Sequence, residues 1–199
     1  MTQPLILASG SVIRADMLQN AGINLEIKPA RVDESAIKIA LLAEGAQPRD
    51  IADALAEAKA RRIAQKNPGR LVLGADQILD FKGKVFDKPE TLVQARNQLI
   101  SLRNQRHNLY SAAVLFENNT PIWRYIGRVT LTMRDFSDGF LEKYIAQNGD
   151  NLFTTVGGYK IEQAGAQLFS AINGDYFSIL GLPLLELLAI LRQKGYCDE

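Results

Sequence analysis

A short segment near the N-terminus combines residue types that suit the binding of an anion. Ser9, Gly10 and Ser11 end an apolar run, and Arg14 follows at the start of a predicted helix. The free N–H groups of a helix start, two hydroxyl groups and a guanidinium would together favour a phosphate group. The same residues also suit a simple helix cap beside a surface arginine. Both interpretations stay open on this segment alone.

Carboxylates further along the chain could orient water or hold a metal ion. Asp76 interrupts the apolar strand pattern of LVLGADQIL, directly after Gly74 and Ala75. A carboxylate in such surroundings has to be paired, hydrated or bound to a metal, which favours a functional role for Asp76. Glu34 lies in a predicted loop, where an acidic residue is common and indicates little by itself.

Cations complete this set of polar residues. Lys88 precedes Pro89, which restrains its backbone to an extended form, although a surface lysine is the simpler interpretation. Lys160 and Glu162 are two residues apart and would share one face if their segment were extended. Carboxylates, cations and a serine loop without a candidate nucleophile suit metal-assisted attack of water on a phosphate better than covalent catalysis.

Several common kinds of site are excluded. The chain has neither G-x-x-x-x-G-K-[ST] nor G-x-G-x-x-G. His107 is the only histidine, so a multi-histidine metal site is excluded, and we expect this residue in a solvated loop. Cys197 is the only cysteine, which excludes a disulfide framework and a cysteine-rich zinc site. Its position near the C-terminus predicts a frayed tail.

Composition and charge exclude further classes of protein. The 199 residues, 47% of them hydrophobic, suit one globular unit, so we treat residues 1–199 as a single domain. The 23 basic and 22 acidic residues nearly cancel, which indicates no general attraction to nucleic acid or acidic membranes. The sequence shows no secretory signal and no apolar stretch of the roughly 18 residues that a membrane span needs. We therefore expect a cytoplasmic protein that binds neither nucleic acid nor membrane.

Apolar periodicity and capping residues predict strands that alternate with helices, around one long antiparallel hairpin. This order is typical of a mixed α/β architecture. The GAD segment is expected to interrupt its strand, and Asp50 to cap the longest helix. The predicted strands are 5–8, 25–29, 70–81, 109–116, 121–136 and 166–172. The predicted helices are 13–20, 37–43, 50–65, 92–102, 138–147 and 183–194.

Six segments, in this order and spacing, resemble the Maf family along essentially the whole chain: LILASGSVIRADML, VDES, LVLGADQIL, DKP, GGYKIEQAGAQLF and INGDYFSILGLPLLEL. The resemblance implies an α/β fold similar to inosine-triphosphate pyrophosphatases, with a mixed twisted sheet, flanking helices and two lobes around a central cleft. It implies hydrolysis of a nucleoside triphosphate to the monophosphate and pyrophosphate with Mg²⁺ or Mn²⁺. Family members are often dimeric, which leaves a homodimer open.

The resemblance also assigns roles to the matching residues. The family's proton-accepting aspartate falls on Asp76, and its acidic loop residue falls on Glu34. Both would hold the metal ion, and Asp76 could be the general base, a metal ligand or both. The residues expected to bind the triphosphate are Ser9, Ser11, Arg14 and Lys88.

A second set of residues concerns the base. Gln77, Lys160 and Glu162 match the branch similar to 7-methyl-GTP pyrophosphatases, which has Gln after the aspartate and a Lys-x-Glu motif. We expect all three to bind substrate, with Glu162 and Gln77 reading a purine base and Lys160 neutralising charge on the triphosphate. The expected function is removal of modified or non-standard nucleotides such as 7-methyl-GTP. The alternative is a nucleotide-binding regulator of cell division with little turnover.

The sequence departs from the family pattern at three positions. Ile13 replaces the first of two adjacent arginines, so the phosphate-binding loop depends on Arg14 or on cations elsewhere. Asp87 replaces the usual glycine before Lys-Pro, and Gln163 replaces another glycine. These departures lie in or beside the predicted substrate-binding segments.

Overall fold

One mixed β-sheet runs through residues 3–197, the part of the chain that the computed structural model describes. Seven strands form it in that range. They are β1 (Leu5–Leu7), β2 (Leu25–Ile27), β3 (Val72–Phe81), β4 (Lys84–Phe86), β5 (Arg106–Glu117), β6 (Thr120–Met133) and β7 (Phe169–Asn173). Their spatial order is β2-β1-β3-β5-β6-β7, with β4 paired to β3.

Helices connect the strands and cover the sheet. They are α1 (Val12–Asn20), α2 (Glu34–Ala43), α3 (Pro48–Ala64), α4 (Leu92–Leu102), α5 (Asp138–Asn148), α6 (Tyr176–Ile179) and α7 (Leu184–Gln193). Three short 3₁₀ segments follow α5, at Gly149–Phe153, Val156–Gly158 and Ala164–Leu168. Strand β1 pairs in parallel with β2 and β3, whereas the other pairings are antiparallel. The expected mixed α/β fold is confirmed.

The apolar core divides into regions that match the expected lobes. At the β1 end, alternate residues of β1, β3 and β5 face opposite sides of the sheet, as strand geometry requires. One side packs on α1 and α7, and the other packs on α3. At the opposite end, a separate cluster joins Leu79 and Leu109 to α4, α5 and the 3₁₀ segments. The middle of β3 therefore lies between two packed regions.

Strand β3 differs from the sequence prediction because it is continuous through the GAD segment. Residues 72 to 80 pair with β5 without a break. Gly74 is required for another reason: a Cβ there would lie 2.1 Å from the carbonyl oxygen of Ala56 and 2.6 Å from the amide nitrogen of Ala60. The glycine allows α3 to approach the strand closely. This contact brings the side chains of α3 next to Asp76.

Several smaller predictions also need correction. Helix α3 begins at Pro48 with Gln47 at its N-cap, so Asp50 lies in the first turn and is not the cap. The predicted strand 166–172 is shifted, because Ala164–Leu168 is a 3₁₀ segment and β7 begins at Phe169. Cys197 is half-buried against the α7 cluster, so its segment is not a frayed tail.

His107 is not in a solvated loop. It is the second residue of β5, and only 1% of it is exposed. The polar neighbours of His107 predicted a loop, but they belong to a strand in which Arg106 is exposed and His107 is buried. Within residues 3–197, no helix is both long and apolar enough to span a membrane.

Candidate active site

Asp76 lies in the middle of β3 and is only 6% exposed. Its backbone pairs with Ala112 of β5, which fixes its position in the sheet. The side chain meets Lys59 of α3, whose Nζ lies 2.5 Å from Oδ1 of Asp76. This ion pair provides the partner that a buried carboxylate needs.

Lys59 is a site residue that the sequence analysis missed. Its Nζ also lies 2.9 Å from Oε1 of Glu34, so one ammonium group bridges two carboxylates. The residue is 7% exposed and shares the buried face of α3 with Ala56 and Ala60. A lysine on the apolar face of an amphipathic helix is unusual without a partner, and this signal could have identified Lys59.

Glu34 was expected in a loop, but it is the first residue of α2. Asp33 is the N-cap, and its Oδ1 accepts a hydrogen bond of 2.9 Å from the amide of Ala36. The cap fixes the start of the helix and therefore the direction of the Glu34 side chain. That side chain remains 46% exposed, so it offers an accessible carboxylate beside the buried Asp76.

The Ser-Gly-Ser segment is organised around Ser9 and not around Ser11. Ser11 occupies the N-cap position of α1, but its side chain makes no capping hydrogen bond. The buried Oγ of Ser9 accepts hydrogen bonds from the amide of Ser11 at 3.3 Å and from Nη1 of Arg14 at 3.1 Å. The hydroxyl of Ser11 is therefore not used to cap the helix.

Arg14 is 9% exposed and connects three parts of the site. Its Nε donates to the carbonyl of Gly181 at 2.8 Å, and its Nη1 donates to the carbonyl of Ala75 at 3.1 Å. The second bond places the guanidinium next to the residue that precedes Asp76. The guanidinium thus both supports the site and carries positive charge into it.

Charges in this cluster influence one another strongly. Burial raises the pKa of Asp76, although Lys59 and Arg14 oppose this effect. Burial lowers the pKa of Arg14, while Asp76 and Glu34 counteract the change. Lys88 remains exposed at the rim, but partial burial and the nearby guanidinium of Arg14 lower its pKa. Three cationic residues and two carboxylates therefore share one electrostatic environment.

A narrow pocket lies beside this cluster, and Gln77, the neighbour of Asp76 in β3, is part of its lining. Its volume is about 50 Å³, far below the roughly 300–1,000 Å³ of a pocket that encloses a drug-sized ligand. Ile13, the residue that replaces an arginine of the family pattern, is part of its wall. The complete lining is Ile13, Gln77, Leu109, Thr155, Val156, Tyr159, Lys160, Ile161, Glu162, Ile179 and Leu180.

Gln77, Lys160 and Glu162 all line this pocket, but the local geometry of Lys160 and Glu162 differs from the expectation. Lys160 and Glu162 are not on one face of an extended segment, because residues 161–163 form a turn. Nζ of Lys160 donates to Oδ1 of Asn151 at 3.0 Å. Nε2 of Gln77 lies 2.9 Å from Oγ of Ser111, 3.0 Å from the carbonyl of Ser178 and 2.9 Å from that of Ile179.

The structure therefore brings the predicted residues together in two neighbouring groups. The charged group contains Asp76, Glu34, Arg14, Ser9 with the adjacent Ser11, and Lys88, and the structure adds Lys59. The pocket group contains Gln77, Lys160 and Glu162. Among residues 3–197, no cluster of three or more histidine, cysteine, aspartate or glutamate side chains could hold a metal ion by itself.

The fold and the site together are those of a mixed α/β domain that holds one buried carboxylate, one accessible carboxylate and three cations beside a narrow pocket. The Maf-like protein family model matches residues 4–194. The chain is 54% identical over 198 residues to the nucleoside triphosphate pyrophosphatase of Ruegeria pomeroyi, covering 100% of both chains. It is 47% identical over 198 residues to the 7-methyl-GTP pyrophosphatase of Mesorhizobium japonicum, again covering 100% of both. The chain belongs to the Maf-like protein family.

A solved structure supports the same fold. The HAM1 protein of Coxiella burnetii superposes with a TM-score of 0.54 at 16% sequence identity. The alignment covers 96% of this chain and 100% of the other. This similarity confirms the general fold that the sequence motifs indicated.

Proposed function

We propose that the protein hydrolyses nucleoside triphosphates between the α- and β-phosphates, which yields a nucleoside monophosphate and pyrophosphate. The observation that carries this proposal is the buried Asp76–Lys59 pair, which the accessible carboxylate of Glu34 joins beside the guanidinium of Arg14. A binding protein for polyphosphate needs cations, but it does not need a buried carboxylate directed at an anionic ligand. The names of relatives that align over the full length support the same reaction.

Asp76 is proposed to orient the attacking water and to accept its proton. A carboxylate whose pKa is raised by burial is a stronger base than an ordinary aspartate. Lys59 holds the carboxylate in position through the contact at 2.5 Å. The water would attack the α-phosphorus, and the bond from that phosphorus to the bridging oxygen of pyrophosphate would break.

The donor set of the cluster fits a small divalent cation. Asp76 and Glu34 present carboxylate oxygens on two sides of the Lys59 ammonium, so positive charge is already accommodated between them. Mg²⁺ in nucleotide enzymes is held by one or two carboxylates, and phosphate oxygens and waters complete its shell. We therefore propose that Asp76 and Glu34 hold Mg²⁺ or Mn²⁺. The ion would neutralise phosphate charge and lower the pKa of a bound water.

The triphosphate is proposed to lie along the charged edge between α1 and the turn after β4. Ser9, Ser11, Arg14 and Lys88 would provide hydroxyl groups and positive charge there. Lys88 is the accessible cation of this group, whereas Arg14 is already bonded to two carbonyl groups. We expect Lys88 to contact the departing pyrophosphate and Arg14 to stabilise charge at the α-phosphate.

The base is proposed to enter the narrow pocket. Glu162 would accept hydrogen bonds from N1–H and the exocyclic amine of a guanine-type base, and Lys160 would lie beside it. Two relatives named 7-methyl-GTP pyrophosphatase, at 47% and 44% identity, support a 7-methylated guanine as substrate. The pocket volume is about 50 Å³, so we propose that the pocket widens when a purine binds.

One experiment tests both the reaction and the position of attack. The purified protein is supplied with Mg²⁺ and a panel of nucleoside triphosphates, including GTP, 7-methyl-GTP, UTP and ITP, in water enriched with ¹⁸O. Release of pyrophosphate with the label in the monophosphate supports the proposal. Label in pyrophosphate, or release of orthophosphate alone, would contradict it.

An Asp76→Asn variant is the matched control for this reaction. It keeps the size and most hydrogen-bonding positions of the side chain but removes the proton acceptor. We expect it to fold and to bind nucleotide while pyrophosphate release falls by several orders of magnitude. Tight nucleotide binding by the unmodified protein without any pyrophosphate release would instead favour the nucleotide-binding regulator.

A further inference from the structure

An ion pair between two residues that have no role in the proposed reaction joins the two sides of the charged group. Nζ of Lys38, on α2, contacts Oδ1 of Asp87, which immediately precedes Lys88. The Lys38 side chain is only 19% exposed, whereas that of Asp87 is 69% exposed. Across residues 3–197, Asp87 is the only hydrogen-bonding or ion-pairing partner found for this ammonium.

The turn that carries Asp87 is held in place by its own contacts. The backbone carbonyl of Asp87 accepts a hydrogen bond of 2.9 Å from Nε2 of Gln98, on α4. Pro89, two residues later, is buried. The carboxylate is therefore presented to α2 from a fixed position on the other side of the cluster.

Lys38 lies one helical turn after Glu34 on α2. Residues separated by four positions on a helix are neighbours, and glutamate followed by lysine at this spacing is the favourable orientation for an ion pair. In this structure, however, the carboxylate of Glu34 contacts Lys59, and the ammonium of Lys38 contacts Asp87. The pair that local helix geometry favours is thus absent, and a long-range pair replaces it.

We propose that Asp87 is a positioning residue that sequesters the ammonium of Lys38 and so keeps the Glu34 carboxylate available to the divalent cation. Without Asp87, Lys38 would turn to Glu34 and compete with the metal ion for its oxygens. This inference rests on the proposed function only in taking Glu34 as a metal ligand. It also gives a physical role to the aspartate that replaces glycine before Lys88.

The test is a double-mutant cycle on metal binding in the absence of turnover. Mn²⁺ affinity is measured by electron paramagnetic resonance in the presence of the guanosine triphosphate analogue with an imido group between the α- and β-phosphates. The proteins are the wild type, Asp87→Asn, Lys38→Met and the double variant. Glu142→Gln is the matched control, because Glu142 forms an exposed ion pair with Arg96 between α4 and α5.

If Asp87 sequesters the ammonium of Lys38, the effects of substitutions at these two residues on Mn²⁺ affinity should depend on each other. Asp87→Asn should weaken Mn²⁺ binding roughly three- to tenfold, because an unpaired ammonium then reaches a metal ligand. Lys38→Met should leave the affinity unchanged within about twofold, because Lys38 is already neutralised in the wild type. The double variant should return to wild-type affinity, and Glu142→Gln should have no effect.

Two patterns would overturn the inference. If Lys38→Met weakens Mn²⁺ binding as much as Asp87→Asn does, the ion pair only stabilises the position of α2. If Lys38→Met tightens binding by the same factor by which Asp87→Asn weakens it, each charge acts independently through space.

A Glu34→Gln variant separates this inference from the metal assignment. Wild-type Mn²⁺ affinity in Glu34→Gln would contradict the assignment of Glu34 as a ligand, and with it the basis of the inference. A large loss of affinity in Glu34→Gln, together with no coupling between Asp87 and Lys38, would contradict the sequestration alone.

Discussion

The ammonium of Lys59 lies 2.5 Å from a carboxylate oxygen of Asp76, and each side chain is only 9% exposed. A buried pair of this kind contributes little net stability compared with apolar residues, but removing one partner is costly because the other charge stays uncompensated. The pair therefore contributes more to the electrostatics of the site than to the stability of the fold. It also means that a change at Lys59 or Asp76 alters the electrostatic environment of the other residue.

Replacing Lys59 by Met tests the dependence of Asp76 on its partner. We expect the free energy of unfolding at pH 8 to fall by about 3 kcal/mol. The rate of pyrophosphate release should fall by a factor of about 100. The pKa of Asp76 is already raised by burial, and loss of Lys59 should raise it further. A carboxyl group whose pKa is raised in the folded state destabilises the protein as pH rises through that pKa. The loss of unfolding free energy in Lys59→Met should therefore be smaller at pH 5 than at pH 8.

Urea denaturation at several pH values measures this effect. Lys66→Met is the control, because Lys66 is an exposed lysine just beyond the end of the same helix. A Lys59→Met variant that is as stable as the control at pH 8 would show that Asp76 does not depend on the ammonium.

Gly74 is predicted to be essential for the position of α3. A Cβ at this residue would lie 2.1 Å from the carbonyl oxygen of Ala56, so Gly74→Ala has to push the helix that carries Lys59 away from the sheet. Overpacking of this kind costs about 1–3 kcal/mol or more. We expect Gly74→Ala to lower the thermal midpoint and to lower pyrophosphate release beyond the loss caused by unfolding.

Gly139→Ala provides the comparison for this substitution. Gly139 lies in the first turn of α5, and the only atom near a Cβ there is Oγ of Ser137 at 4.0 Å. Alanine at this position should be neutral or slightly stabilising because of its higher helix propensity. Equal thermal midpoints for Gly74→Ala and Gly139→Ala would rule out the close helix–strand contact.

The sequence predicted the chemistry of the site better than its geometry. Asp76 was recognisable because a carboxylate in an apolar strand needs a partner. Its partner Lys59 lies 17 residues earlier, in an alanine-rich helix. Glu34 was assigned to a loop because its role in starting α2 depends on capping by Asp33. The contact of Lys59 with Asp76 depends on how α3 packs on β3, which local patterns do not contain. The Asp33 cap is a local signal, which the sequence analysis missed.

His107 illustrates the same limit. Its polar neighbours predicted exposure to solvent, yet the ring packs against the rings of Tyr159 and Phe169, at centroid distances of 5.7 and 6.0 Å. Nε2 of His107 forms a hydrogen bond of 2.7 Å with the hydroxyl of Tyr159, and burial raises the pKa of that hydroxyl. The aromatic partners come from segments about 50 residues later, so the local sequence could not show this burial.

The buried His107 predicts a specific dependence of stability on pH. Burial lowers its pKa from 6.5 to about 4, so the unfolded chain binds a proton between these pH values that the folded protein does not bind. The contribution of His107 to stability is therefore complete above about pH 6.5 and is lost as pH falls toward 4. The total loss from this residue is about 3 kcal/mol, at about 1.4 kcal/mol per pH unit.

A His107→Gln variant isolates this contribution. Glutamine keeps a polar group that can reach Tyr159 but does not titrate. The difference in free energy of unfolding between wild type and variant should narrow as pH falls from 7 to 4.5, and other acid-sensitive groups cancel in this comparison. Parallel stability curves for the two proteins over that range would contradict burial of a neutral His107.

Glu162 is predicted to set the preference among bases. Loss of hydrogen bonds that a charged carboxylate accepts costs about 1.5–3 kcal/mol, so Glu162→Ala should lower kcat/KM for GTP and 7-methyl-GTP about 10- to 150-fold. The value for UTP, which lacks an amine next to its N–H group, should change less than about threefold. Gln163→Ala is the control, because Gln163 is an exposed neighbour in the same turn. An unchanged order of preference in Glu162→Ala would show that another side chain of the pocket reads the base.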